Sequence, residues 1–134
     1  MNISKDTTNE FSFILKPSEH GIGVFAVHDI KKGTYLKLFG NQGLMKMSRV
    51  MKKVDIPEIF RQYCANRENG LVEGPLDFGA MQVGWYLNHS KNCNSSHNDY
   101  KFYANQDILA GEEILIDYNT LEEPEEEKDA YYKN

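Results

Sequence analysis

No apolar run in this chain extends beyond a few residues before a glycine, a proline or a polar side chain interrupts it. A bilayer-crossing helix needs about 20 consecutive apolar residues, and a secretory leader needs a basic start followed by an apolar stretch. Residues 1–10 show neither feature, so no membrane span and no signal peptide are expected. Such frequent punctuation favours short strands joined by tight turns. Residues 11–15 read as a first strand, 16–20 as a polar turn ending in Gly21-Ile22-Gly23, and 24–27 as a second apolar, β-favouring segment. Residues 28–33 form another turn, and 34–39 are rich in aromatic and β-favouring side chains.

Between 44 and 64 the pattern changes. Leu44, Met47, Met51 and Val54 recur at helical spacing, and Asp55-Ile56-Pro57 offers the start of a second short helix containing Ile59, Phe60 and Tyr63. A helical insert with a Met-rich core stripe is therefore expected over 44–64. After Glu73-Gly74-Pro75 the chain returns to loops and strands, with 100–106 alternating loosely and 114–116 a buried strand. Residues 27–33 and 105–111 share one plan: a strand end, Asp-Ile, two residues and Gly. These are two similar turns rather than a solenoid repeat. The acidic run 122–129 reads as a solvated tail or an exposed helix start, and Tyr131 and Tyr132 follow it.

A length of 134 residues suits one domain, here divided into a flexible segment 1–10, a folded body 11–119 and a C-terminal segment 120–134. Hydrophobic residues at 40% and charged residues at 26% support a real core and exclude a disordered chain. Two cysteines, Cys64 and Cys93, are too few for a zinc cluster or a disulfide scaffold, which points to a reducing intracellular compartment, cytoplasm or nucleus, including that of a host. The net charge of -5 argues against direct nucleic-acid binding. It suits a basic partner, and it equally suits solubility alone. Monomer and homodimer both remain open.

Three segments can carry chemistry. Gly21-Ile22-Gly23-Val24-Phe25-Ala26 has the spelling of a dinucleotide site, but no helix opens after the glycines, so they serve either close backbone approach or a turn with positive φ. Residues 84–94 gather the amide, imidazole and hydroxyl groups of Asn88, His89 and Ser90 behind an apolar run. His89, Cys93 and His97 stand at four-residue intervals, but a zinc site would need the distant Cys64 as its fourth ligand, and a hydrolase from Ser90, His89 and Asp117 fits poorly because neighbours on an extended segment face opposite sides. Glu113-Ile114-Leu115-Ile116-Asp117-Tyr118 ends a strand with an acid and a phenol.

In this order and at these separations the three segments resemble the SET domain of protein lysine methyltransferases: its glycine motif at Gly21-Ile22-Gly23-Val24-Phe25-Ala26, its Asn-His-Ser at 88–90, and its Glu-Leu-x-x-Asp-Tyr at 113–118. Asp107-Ile-Leu-Ala-Gly111-Glu-Glu leading into the last motif is also typical of that family. Trp85-Tyr86-Leu87 stand where the family has Arg-Phe-Ile, and no cysteine-rich flank is present, so the resemblance is to compact viral and bacterial members.

The resemblance implies a mainly β fold with short helices, a β-clip-like arrangement of several small sheets with a C-terminal pseudoknot that brings Asn88, His89 and Tyr118 together. It implies S-adenosyl-L-methionine as cofactor, S-adenosyl-L-homocysteine as product, no metal, and a lysine in a histone-like or other basic protein as substrate. The cofactor residues it points to are Gly21, Ile22, Gly23, Phe25, Tyr86, Asn88 and His89. The resemblance points to Tyr118 as the catalytic residue and to Tyr86, Tyr118, Tyr131 and Tyr132 as the lining of the substrate channel, the last two being the candidates to take the place of the family's post-SET segment. The alternative is an inactive SET-fold module that binds a basic peptide.

Overall fold

The computed structural model describes residues 6–19, 21–40, 47–129 and 131–132. Its strands fall into four small sheets. Strands β1 (Phe13–Ser18) and β2 (Gly21–Ala26) form an antiparallel hairpin with Ser18 opposite Gly21 and Phe13 opposite Ala26. The glycine motif is thus itself a strand, not the end of a turn. Gly21 takes a φ of 103°, open to glycine at little cost. Val24 and Ala26 alternate into the core while Ile22 stays exposed.

Strands β3 (Ser48–Lys52), β4 (Ala65–Asn66) and β5 (Leu71–Pro75) make a three-stranded sheet in the order β3-β5-β4. This corrects the expected helical insert. Leu44 lies outside the described residues, but Met51 sits in β3 opposite Val72, and Val54 is 81% exposed in a 3₁₀ turn at Lys53–Asp55. The apolar spacing matched a helix, yet antiparallel pairing with β5 wins, because five short residues gain more from a sheet partner than from an isolated helix nucleus. Only α1 (Glu58–Arg61), one turn opened by Pro57, remains of the predicted second helix; Ile59 is exposed and Tyr63 lies beyond its end. No helix among the described residues is long and apolar enough to cross a membrane.

Strand β6 (Asn88–His89) runs parallel to β9 (Leu115–Ile116), with Asn88 opposite Leu115 and His89 opposite Ile116. Asn94 holds the same C-terminal segment from another side: its Nδ2 donates to Glu113 O (2.8 Å) and its Oδ1 accepts from Leu115 N–H (2.9 Å), so one side chain substitutes for a strand partner. The hairpin of β7 (Ser95–Asn98) and β8 (Lys101–Ala104) turns through Asp99 and Tyr100, both at positive φ, the geometry of a tight two-residue turn. Residues 34–39 form no strand, only isolated bridges such as Tyr35 to Tyr103, yet they deliver Leu36, Leu38 and Phe39 to the core.

The two similar turns pack on each other. Ile30 and Ile108 exchange backbone hydrogen bonds (2.7 and 2.8 Å) and are almost wholly buried. Asp107 Oδ1 accepts from Lys32 N–H (2.9 Å), and Asp29 Oδ1 accepts from Ala110 N–H (2.8 Å). Gly33 and Gly111 both take a φ of 90°. The N-terminal segment also differs from expectation. Residues 1–5 lie outside the described residues, but Thr8 is buried, bonds to Tyr35 O through its N–H, and accepts from Lys37 N–H.

Candidate active site

Parallel pairing of β6 with β9 is what places the three motifs together, because it fixes Asn88 and His89 beside the segment that ends at Tyr118. His89 Nδ1 accepts a hydrogen bond from Tyr118 N–H (3.0 Å), so the ring proton belongs on Nε2. Burial lowers the His89 pKa from its ordinary 6.5, outweighing the nearby Asp117. Asp117 Oδ1 lies 3.6 Å from Nδ1 but accepts instead from Asn119 N–H and Asn119 Nδ2, capping the 3₁₀ turn Tyr118–Thr120. Ser90 Oγ accepts from Asn92 N–H. His89, Asp117 and Ser90 therefore do not form a relay.

Tyr118 is largely enclosed, and its hydroxyl donates to Leu87 O at 2.5 Å. Burial first, and the neighbouring Tyr131 and Tyr132 next, push its pKa far above the ordinary phenol value. The group stays a protonated donor to Leu87, and its oxygen, which also lies in hydrogen-bonding reach of the Tyr131 hydroxyl, keeps a lone pair that can accept. Aromatic rings surround it: His89 at 5.2 Å, Tyr132 at 5.1 Å and Tyr131 at 6.3 Å between centroids.

Tyr118 belongs to the wall of two spaces. One is a cleft of about 510 Å³ lined by Ile22, Tyr86, Asn88, His89 and Tyr131 among others. The second, about 90 Å³, is lined largely by aromatic and apolar groups that include Phe39, Trp85, Phe102, Tyr131 and Tyr132. Cys64 also lines the smaller space, where burial pushes its thiol up to about 11, so it is no ready nucleophile.

The C-terminal segment is folded onto this site. Tyr132 is buried, its hydroxyl donates to Glu123, and its carbonyl accepts from Asn119 Nδ2 (2.9 Å). Glu123, from the acidic run read as solvated, is itself buried and accepts from Asn66 N–H on β4 (2.6 Å). Glu125–Glu127 form a 3₁₀ turn after Pro124.

Of the residues expected at the cofactor, Ile22, Tyr86, Asn88 and His89 line the larger cleft, whereas Gly21, Gly23 and Phe25 do not. Phe25 faces the other way along β2, with Lys16 Nζ 5.1 Å above its ring. Tyr86 lines the larger cleft alone, and Tyr132 the smaller alone. Two further residues bond to Asn88: Ser18, which no motif includes, and Glu113, which the third motif includes without assigning it a role. His97, Cys93 and His89 are engaged separately: His97 Nε2–H donates to Thr120 O, while Cys93 lies against Asn105.

The SET domain family model matches residues 21–119. A solved Plasmodium falciparum protein, provisionally assigned as a histone methyltransferase, aligns at a TM-score of 0.52 and 22% identity over 82% of this chain and 95% of that one. That likeness is one of fold. The comparison with curated proteins finds no match.

Proposed function

The chain belongs to the SET-domain family, and from that premise we propose that it is an S-adenosylmethionine-dependent methyltransferase acting on the side-chain amine of lysine in a basic protein. The observation that carries the proposal is the place of Tyr118 in the wall shared by a polar-edged cleft and a smaller aromatic cavity. The cleft has the volume of a small-molecule site, for which about 300–1,000 Å³ is usual, and Asn88 and His89 give it polar groups among aromatic rings. Asn88, His89, Ile22 and Tyr86 would hold the cofactor there. When bound, S-adenosylmethionine supplies an electrophilic methyl group and is converted to S-adenosylhomocysteine.

The chain's own task is alignment and exclusion of water. A lysine amine with a pKa near 10.4 must lose its proton, at a cost of about 4–5 kcal/mol at pH 7. Rings from Phe39, Trp85, Phe102, Tyr131 and Tyr132 disfavour the ammonium form by excluding solvent, against the pull of Glu73, Glu123 and Asp129 in the same wall, of which Glu73 is paired with Arg67 and Glu123 with Tyr132 and Asn66. With its proton committed to Leu87 O, the Tyr118 oxygen can accept an N–H from the neutral amine and fix the direction of its lone pair. General-base action by Tyr118 does not suit a phenol whose pKa is raised. Asp129, in the wall of both spaces, and the exposed Glu122, Glu125 and Glu126 of the same segment supply attraction for a basic substrate. The free thiols Cys64 and Cys93 suit the reducing compartment of a cytoplasm or nucleus.

The test is incubation with labelled S-adenosylmethionine and a panel of basic proteins, read by mass spectrometry of lysine peptides. Transfer to lysine is expected. Cofactor binding with no transfer to any protein would instead make the chain a binding module, and no cofactor binding would overturn the proposal.

A further inference from the structure

The reaction outlined above makes no use of Glu113, yet its carboxylate is fixed from several sides behind the wall of the larger cleft. Asn88 Nδ2 donates to Glu113 Oε2 (2.8 Å), and Ser18 Oγ donates to Oε1 (3.1 Å). Gly23 backs the same carboxylate. A Cβ added at Gly23 would lie 2.3 Å from Glu113 Oε2, closer than real contacts allow, and 3.0 Å from Asn88 Nδ2, which is tight. The Glu113 backbone is held as well, bridged to Phe25 and bonded through its carbonyl to Asn94 Nδ2.

These contacts decide which end of the Asn88 amide turns inward. Its nitrogen meets three acceptors of the protein: the Glu113 carboxylate, Ile22 O at 3.2 Å and Ser18 Oγ at 3.3 Å. An amide oxygen in that place would face a carboxylate and a carbonyl with no hydrogen between them, a repulsive arrangement. Both N–H groups are spent on the protein, so what Asn88 offers the cleft is Oδ1, an acceptor only. Glu113 does not line the cleft itself.

We propose that Glu113 is a positioning residue: through its hold on Asn88 it makes that side chain a hydrogen-bond acceptor for a donor group of the bound cofactor, an ammonium, amino or hydroxyl group. Gly23 is small so that this pair can close. The inference rests on the cofactor reading of the cleft given above.

A double-mutant cycle on the full chain tests it, with S-adenosylmethionine as the calorimetric probe and unfolding midpoints as the control for folding. Glu113→Ala weakens binding by roughly tenfold, the size of one lost hydrogen bond to a charged group. Asn88→Ala weakens it by a similar factor. In the Asn88→Ala background, Glu113→Ala costs nothing further, because it acts through an amide that is no longer there. Glu113→Gln keeps one acceptor oxygen, so it recovers part of the loss and preserves the cycle if Glu113→Ala does not fold. Wild-type affinity in Glu113→Ala, or losses that add in the double variant, overturn the inference alone. Failure of the unmutated chain to bind overturns the cofactor reading and the inference with it.

Discussion

The paired turns at 29–33 and 107–111 close their polar groups on each other, while the surroundings of Tyr118 leave groups open. In the turns, each Asp accepts a backbone N–H from the opposite turn, and each Ile exchanges two backbone bonds with the other. Around Tyr118, by contrast, Trp85 Nε1 is buried with no hydrogen-bond partner among the described residues, as is Ser95 Oγ on β7, and Asn88 lines a cleft with its amide nitrogen already spent on Glu113. A buried unpaired N–H costs about 1–3 kcal/mol. The difference teaches where this fold puts its stability: the clasp of turns pairs its polar groups and holds the strands, whereas the wall around Tyr118 tolerates a buried N–H that the protein itself does not pair.

If that division is right, the largest stability loss belongs to the clasp. Ile108 is fully buried, so Ile108→Ala should cost about 2–5 kcal/mol by denaturant unfolding, with cofactor affinity per folded molecule unchanged. A variant that stays stable but loses cofactor binding would erase the distinction between the two regions. Next in size, Gly33→Ala and Gly111→Ala should each cost about 1–2 kcal/mol, because both positions take a φ of 90° that side chains resist. Clearly unequal costs would show that the two turns are alike in spelling but not in structural weight.

The same contrast explains what could be read from the sequence. The repeated Asp-Ile-x-x-Gly spelling exposed both turns, because a glycine at positive φ and a capping Asp are local signals. That one turn would grip the other was not legible, since the hydrogen bonds joining them span about eighty residues of chain, as from Asp29 to Ala110. Asn88, His89 and Tyr118 were legible only as motifs in a known order, whereas their contact depends on the parallel pairing of two-residue strands too short to leave a periodic pattern. Met51 and Val54 show the opposite failure: a true periodic spacing that sheet pairing overrode at Met51 and an exposed 3₁₀ turn at Val54. Ser18 escaped notice, and Glu113 was legible as the start of a motif but not as a partner of Asn88, because nothing about an exposed-looking Glu or Ser announces which distant side chain it will meet.

The smallest predicted effect is one of pH. Burial lowers the His89 pKa in the folded chain, so the unfolded chain takes up a proton first as pH falls. Stability is therefore full above the unfolded value of about 6.5 and declines as pH drops below it toward the lower folded pKa, where the Tyr118 N–H bond to Nδ1 is also lost. Unfolding midpoints of the wild-type chain against pH should fall in that window, and His89→Asn, whose amide oxygen can accept the same N–H, should remove His89's share of the fall. An identical pH profile for both would remove His89 from the account.

The division of labour at Tyr118 is tested most directly by measuring cofactor affinity and single-turnover methyl transfer side by side in Tyr118→Phe. Only the hydroxyl is removed, the ring contacts with His89, Tyr131 and Tyr132 being kept. The account predicts affinity within a few-fold of wild type and transfer lowered by more than about tenfold, or about 1.4 kcal/mol of transition-state stabilisation. Transfer within about twofold of wild type, or a loss wholly accounted for by weaker cofactor binding, would contradict it.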